Sequence, residues 1–179
     1  MASGVVTVFG SSRIRESDEA YAQARELGRC LAEAGHVVAS GGHKGIMEAV
    51  SRGAKDGGGK TIGIISHEFG KNANPWIDEV QIKNTWKERL FALIETGDAY
   101  VLFDGGTGTW AEFFVTWEMM SKKLIPSKPL VVYGNFLKAM MENFRGREGF
   151  LFHDALVFAA GAEDVTKALA GAPDREGSF

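Results

Sequence analysis

The chain has a single cysteine, Cys30, among its 179 residues. One thiol excludes a disulfide framework and a cysteine zinc site, so stability has to come from a packed core. The length is enough for a single domain with a core of useful size. Histidine is also scarce. His36, His43, His67 and His153 have no metal-ligand spacing, and each reads as a surface or packing residue. No apolar run reaches 18 residues, and the N-terminus lacks a basic-then-apolar signal. No membrane partner is therefore expected, and the expected compartment is the reduced cytoplasm. The net charge is only −3, too little of either sign to draw nucleic acid or an anionic membrane by bulk attraction. No G-x-S-x-G elbow is present, which speaks against a hydrolase serine. Repeats and low-complexity segments are missing. Residues 1–170 read as one domain, and 171–179 as a disordered tail.

What the sequence does have is glycine in telling places. Residues 104–112 read Asp-Gly-Gly-Thr-Gly-Thr-Trp-Ala-Glu. The apolar run 99–103 before them has the length and composition of a buried strand. After them, Trp110, Phe113, Phe114, Trp117 and Met120 recur at three- and four-residue spacing, the period of a helix. Strand, glycine turn and helix together make an anion site. The glycines let backbone approach a phosphate, and the first free N–H groups of the helix point at it along the dipole. A phosphorylated ligand is therefore expected on Gly105, Gly106, Thr107, Gly108 and Thr109.

The rest of the chain alternates in the same way. Strands are expected at 5–9, 36–39, 61–65, 99–103, 129–133 and, briefly, 156–158. Helices are expected after Ser17, over 46–50, from Trp86 to Gly97, over 136–144 and over 163–169. Residues 66–79 show no period and read as a long loop, of a length that often serves as a lid or binding loop. Thr85-Trp86-Lys87-Glu88 is a capping-box helix start. The fold class is α/β: a Rossmann-like, doubly wound parallel sheet with helices on both faces. In such sheets the ligand lies at the carboxyl ends of the strands, where strand order reverses. The turns Gly10-Ser11-Ser12, Gly41-Gly42-His43-Lys44-Gly45 and 105–109 should line that one edge.

Two motifs need weighing. Gly57-Gly58-Gly59-Lys60-Thr61 imitates a phosphate loop, but the position for its first glycine holds Ala54, and the segment runs from helix to strand. It reads as a connection. Thr109-x-x-Glu112 is a capping box, so Glu112 reads equally as a capping side chain or as a catalytic carboxylate. Arg89 sits beside the buried stripe of its helix and reads as either a solvated charge or a site residue.

Taken together, these stretches resemble the Lonely Guy family of nucleoside 5′-monophosphate phosphoribohydrolases, also labelled lysine decarboxylases. The family signature P-G-G-x-G-T-x-x-E is matched from Gly105 to Glu112, and Arg89 falls at the family's arginine spacing. The segment G-G-x-x-G-L-M-x-x-V is matched by Gly41-Gly42-His43-Lys44-Gly45-Ile46-Met47-Glu48-Ala49-Val50. Val8-Phe9-Gly10-Ser11-Ser12 is similar to the family's first strand and turn. Asp104 replaces the signature proline, Leu90 the lysine that often follows the arginine, and Ser40 the first glycine of a usual triplet.

The resemblance implies hydrolysis of AMP or a modified AMP to free base and ribose 5-phosphate, without a cofactor. Glu112 and Arg89 would be catalytic. The phosphate would sit on 105–109, with Gly10, Ser11, Ser12, Gly41, Gly42 and Met47 around the nucleotide. It also implies a homodimer, to which the aromatics of the Trp110 helix would contribute. The alternative is a protein of the same fold that carries a nucleotide-like or pterin cofactor, such as the molybdenum cofactor, without hydrolysing it.

Overall fold

The computed structural model describes residues 3–70, 72–145, 147 and 154–171. The expectations for His153 and for the tail beyond 171 lie outside these residues. Seven parallel strands run in the order β4-β3-β2-β1-β5-β6-β7. They are β1 (Val5–Phe9), β2 (Val37–Ser40), β3 (Thr61–Ser66), β4 (Glu79–Lys83), β5 (Ala99–Leu102), β6 (Leu130–Tyr133) and β7 (Leu156–Ala159). The helices are α1 (Glu19–Glu33), α2 (Ile46–Asp56), α3 (Trp86–Thr96), α4 (Thr107–Ser121), α5 (Asn135–Glu142) and α6 (Ala162–Ala170). Strand order reverses at β1, which pairs with β2 on one side and β5 on the other. The doubly wound parallel sheet expected from the alternation is therefore present.

The period of two along each strand divides the core. In β5, Ala99 and Val101 join Phe103 just beyond the strand in packing with α1, α2 and α6, while Tyr100 and Leu102 pack with α3, α4 and α5. A parallel sheet covered on both faces needs strands that are apolar throughout, and every residue of β5 and β6 is buried. The 57–61 segment is the connection from α2 to β3 that its position implied. Among the described residues, no helix is long and apolar enough to cross a membrane.

One strand escaped the sequence reading. Residues 66–79 were expected as loop, with nothing assigned between them and the Thr85 cap. In the structure a 3₁₀ turn (His67–Phe69) follows β3, and β4 then adds in parallel at the sheet edge. The sequence Glu-Val-Gln-Ile-Lys has only two apolar residues, and both stay about half exposed, Val80 at 45% and Ile82 at 50%. An edge strand with no covered apolar face lacks the buried-strand signal.

Candidate functional site

The three turns do converge. A cleft of about 930 Å³ opens at the carboxyl ends of β1, β2 and β5, toward the upper end of the roughly 300–1,000 Å³ typical of small-molecule sites. Gly10, Ser11, Ser12, Met47, Arg89, Gly106, Thr107, Gly108, Thr109 and Glu112 line it, as the sequence led one to expect. Backbone bonds tie the turns together: Ser11 N–H donates to the Asp104 carbonyl, and Ile46 N–H donates to the Ser11 carbonyl.

Helix α4 begins at Thr107 with Gly106 as its N-cap, and no side chain caps it. The N–H groups of Thr107, Gly108 and Thr109 thus belong to the first turn, where no helical carbonyl can satisfy them. A Cβ added at Gly106 or Gly108 would meet nothing within 4 Å, so the rim above these amides is open. Gly105 plays a different part. It does not line the cleft. Its N–H donates to Asp104 Oδ1 at 2.7 Å, and a Cβ there would sit 2.3 Å from Thr109 Oγ1. The residue in the signature proline's place therefore caps its neighbour's amide.

With the helix starting at Thr107, Thr109 is its third residue and not its cap, which removes the capping-box reading of Glu112. Glu112 is instead buried against Arg89, with Oε1 3.3 Å from Nη1. Nor is Arg89 a solvated charge. It is 5% exposed, and its Nε donates to the Ile64 carbonyl (2.9 Å) and its Nη2 to the Gly41 carbonyl (3.2 Å). Thr85 starts α3 by accepting from Glu88 N–H, while Glu88 returns a bond to Asn84 N–H, which fixes the turn that carries Arg89.

Burial pushes the Glu112 carboxyl up to about 7, against the pull of Arg89 beside it, and burial also lowers the Arg89 guanidinium. A carboxyl poised near neutrality in a cleft suits proton transfer.

Gly41 and Gly42 lie behind the cleft wall. A Cβ on Gly41 would fall 1.7 Å from Arg89 Nη2 and 2.7 Å from Met47 Sδ, so only glycine lets the guanidinium lie against this turn. Gly42 has φ +70 and its carbonyl accepts Asn74 N–H.

The sequence reading did not place Arg13, Phe69 or Trp86 at the site, and of the second turn it singled out neither His43 nor Lys44; all five line the cleft. His43 was assigned to surface or packing. Its Nε2 is buried and without a hydrogen-bond partner, and burial, with the Arg89 charge nearby, lowers its pKa. Its place inside the second glycine turn was the one available signal. His36, by contrast, does pack, its Nδ1 accepting Gly4 N–H.

Phe69 comes from the loop to which no role was assigned. Its ring lies 5.9 Å from the Arg89 guanidinium carbon and stays 56% exposed. Asn74 pins that loop to the second turn, donating from N–H to the Gly42 carbonyl and from Nδ2 to the His43 carbonyl. Nothing in the local composition of 66–79 encodes that long-range bond.

The chain is similar to several known proteins. An uncharacterized protein of Archaeoglobus fulgidus is 31% identical over 127 residues, 71% of this chain and 82% of that relative. A protein of Rhodococcoides fascians named cytokinin riboside 5′-monophosphate phosphoribohydrolase is 29% identical over 133 residues, 71% of this chain and 66% of that relative. The chain thus spans just under two thirds of the named enzyme. The solved structure of the molybdenum cofactor binding protein from Rippkaea orientalis superposes with a TM-score of 0.76 at 21% identity, over 95% of this chain and 97% of that one. The family model described as the SLOG cluster4 family matches residues 3–157, and the chain belongs to that family, one of the Lonely Guy-like proteins that its glycine turns resemble.

Proposed function

We propose that the protein is a nucleoside 5′-monophosphate phosphoribohydrolase, cleaving the N-glycosidic bond of AMP or a modified AMP to free base and ribose 5-phosphate. The observation that carries this reading is the buried Arg89–Glu112 pair sharing one cleft with the open N-terminus of α4. Glu112 follows Thr109 by three residues, roughly 4.5 Å along the helix axis. A phosphate held by the first-turn amides leaves the sugar's C1′ within reach of the carboxylate.

N-glycosidic cleavage passes through an oxocarbenium-like cation, as in other glycosides. The ionised Glu112 stabilises that cation and takes a proton from the attacking water. Water oxygen bonds to C1′ as Glu112 takes its proton, the C1′–N bond breaks, and the base leaves with the electron pair and takes up one proton, so that the water's two hydrogens end on the sugar hydroxyl and the base. Arg89 orients Glu112 and adds positive charge to the cleft, where Arg13 and Lys44 also stand. The Rhodococcoides relative, named for this activity, supports the reading. We also propose that residues 1–170 form one nucleotide-binding unit and that the chain dimerises through the α4 face, where Phe114 is 36% exposed beside a part-buried Trp110.

The test is to incubate the protein with AMP and follow adenine and ribose 5-phosphate by chromatography. Release of both is the expected outcome. A second reading is cofactor carriage without hydrolysis. It is favoured by Asp104, a carboxylate in place of the signature proline beside the glycine turn, and by the fold shared with the Rippkaea protein. AMP that binds and stays intact would support this reading over the first.

Gly41→Ala is a sharp probe of the arginine. The new methyl group displaces the Arg89 guanidinium and loosens its bond to Glu112. A charge-assisted bond is worth about 1.5–3 kcal/mol, so kcat/KM for AMP should fall by roughly tenfold or more while circular dichroism stays native. Turnover equal to wild type would make the Arg89 position irrelevant to catalysis.

A further inference from the structure

The edge strand β4 carries a pattern unrelated to the cleft. One side of β4 pairs with β3, and no other strand of the described residues takes its outer edge. Ile64 packs into the α3 side of the sheet, so its neighbour Ile65 and the register partner Ile82 face the other side, as does Val80 opposite Gly63. There Val80 and Ile82 stand about half exposed. Glu79, Gln81 and Lys83 point to the opposite face. Natural sheets usually blunt such an edge, because its free N–H and C=O groups template pairing with another chain.

We infer that the β4 edge pairs antiparallel with the β4 edge of a second copy of this chain, about a two-fold axis at Gln81. The argument is self-complementarity of Glu79-Val80-Gln81-Ile82-Lys83. In an antiparallel pair, directly opposite residues both turn their backbone groups outward or both inward, so a two-fold edge contact must be centred on a residue.

Centred on Gln81, Glu79 of one copy lies opposite Lys83 of the other, and Val80 lies opposite Ile82. Both charge pairs are then attractive, and the four aliphatic side chains form one cluster across the axis. Centring on Val80 sets Asp78 against Ile82 and leaves Glu79 facing Gln81. Centring on Ile82 sets Val80 against Asn84 and leaves Lys83 facing Gln81. Only the Gln81 register matches charge to charge and apolar to apolar. This contact is independent of the proposed activity and lies on a different element from α4, so the two contacts combine without competing.

The test compares the mass of the wild type, Glu79→Lys, Lys83→Glu and the double exchange by light scattering up to several hundred micromolar. Each single exchange puts like charges opposite each other twice per axis, and the mass should drop two-fold. The double exchange restores attraction and should restore the wild-type mass. Masses that are the same in the wild type and both single variants overturn the proposal, and so does a double exchange that stays dissociated.

Zero-length carbodiimide coupling gives a second readout. Within one strand Glu79 and Lys83 are four residues apart, roughly 13 Å, too far to be joined directly. A Glu79–Lys83 amide found by mass spectrometry in the cross-linked species would have to bridge two copies. Its absence from the wild-type assembly overturns the proposal.

Discussion

Replacing Glu112 by glutamine should lower AMP hydrolysis by roughly a hundredfold or more, the usual scale for an acid–base group. Glutamine keeps the size of the side chain and can still meet Arg89 Nη1 through its carbonyl oxygen, so the cleft stays filled. What it removes is the negative charge that faces C1′ and the oxygen that accepts water's proton.

The pH dependence makes the assignment specific. Burial raises the Glu112 carboxyl to about 7, and the base form is the deprotonated one. Wild-type kcat/KM should therefore fall as pH drops through about 7, and the residual rate of the glutamine variant should lack that limb. Stability has a matching signature. A carboxyl whose folded pKa is raised contributes stability that is fully present below its unfolded value and is lost as pH rises toward the folded one. Between about pH 4.5 and 7 the wild type should lose stability from this group as pH rises, and Glu112→Gln should flatten that slope. Near-normal turnover by the variant, with the acid limb intact, would assign the chemistry to another group.

Removing the substrate's phosphate should cost nearly as much. The amides of Thr107, Gly108 and Thr109 need an acceptor, and the Thr109 side chain lines the same cleft. Adenosine leaves those donors to water and forfeits the contact that sets C1′ against Glu112. Charge-assisted bonds contribute roughly 1.5–3 kcal/mol each, and the loss of two should lower kcat/KM by about two to four powers of ten. Asp104 is not expected to oppose the phosphate strongly, because its Oδ1 is engaged by Gly105 N–H. The comparison of AMP with adenosine, read as free adenine, checks this. Equal rates would mean that the glycine turn is only a connection.

The residues that were readable in advance are those whose local sequence and tertiary role coincide. The strand preceding Asp104 is apolar at every position because both faces of a parallel sheet are covered, and the aromatic spacing after Thr109 is that of a helix. A glycine turn between such elements serves either an anion or a tight connection, so the 106–109 amides followed from sequence as an expectation, and the structure places them on the cleft edge. Gly105 and Gly41 were placed with the ligand although they serve the packing of Thr109 and Arg89. Close approach and phosphate contact both call for glycine, and spacing cannot separate them.

By itself the sequence determined the α/β alternation and the parallel sheet, and it offered the carboxyl-end site and the Arg89, Glu112 and 106–109 set as expectations from its glycine turns and its family resemblance. Each of these rests on short-range periodicity or on a motif. Only the tertiary structure decided that Glu112 meets Arg89 instead of capping its own helix, that His43 and Phe69 enter the cleft, and that 79–83 forms the open edge strand. These depend on which distant groups come together and on what burial does to a charge: Arg89 reaches Glu112 across 23 residues and Gly41 across 48. A local pattern carries no record of either.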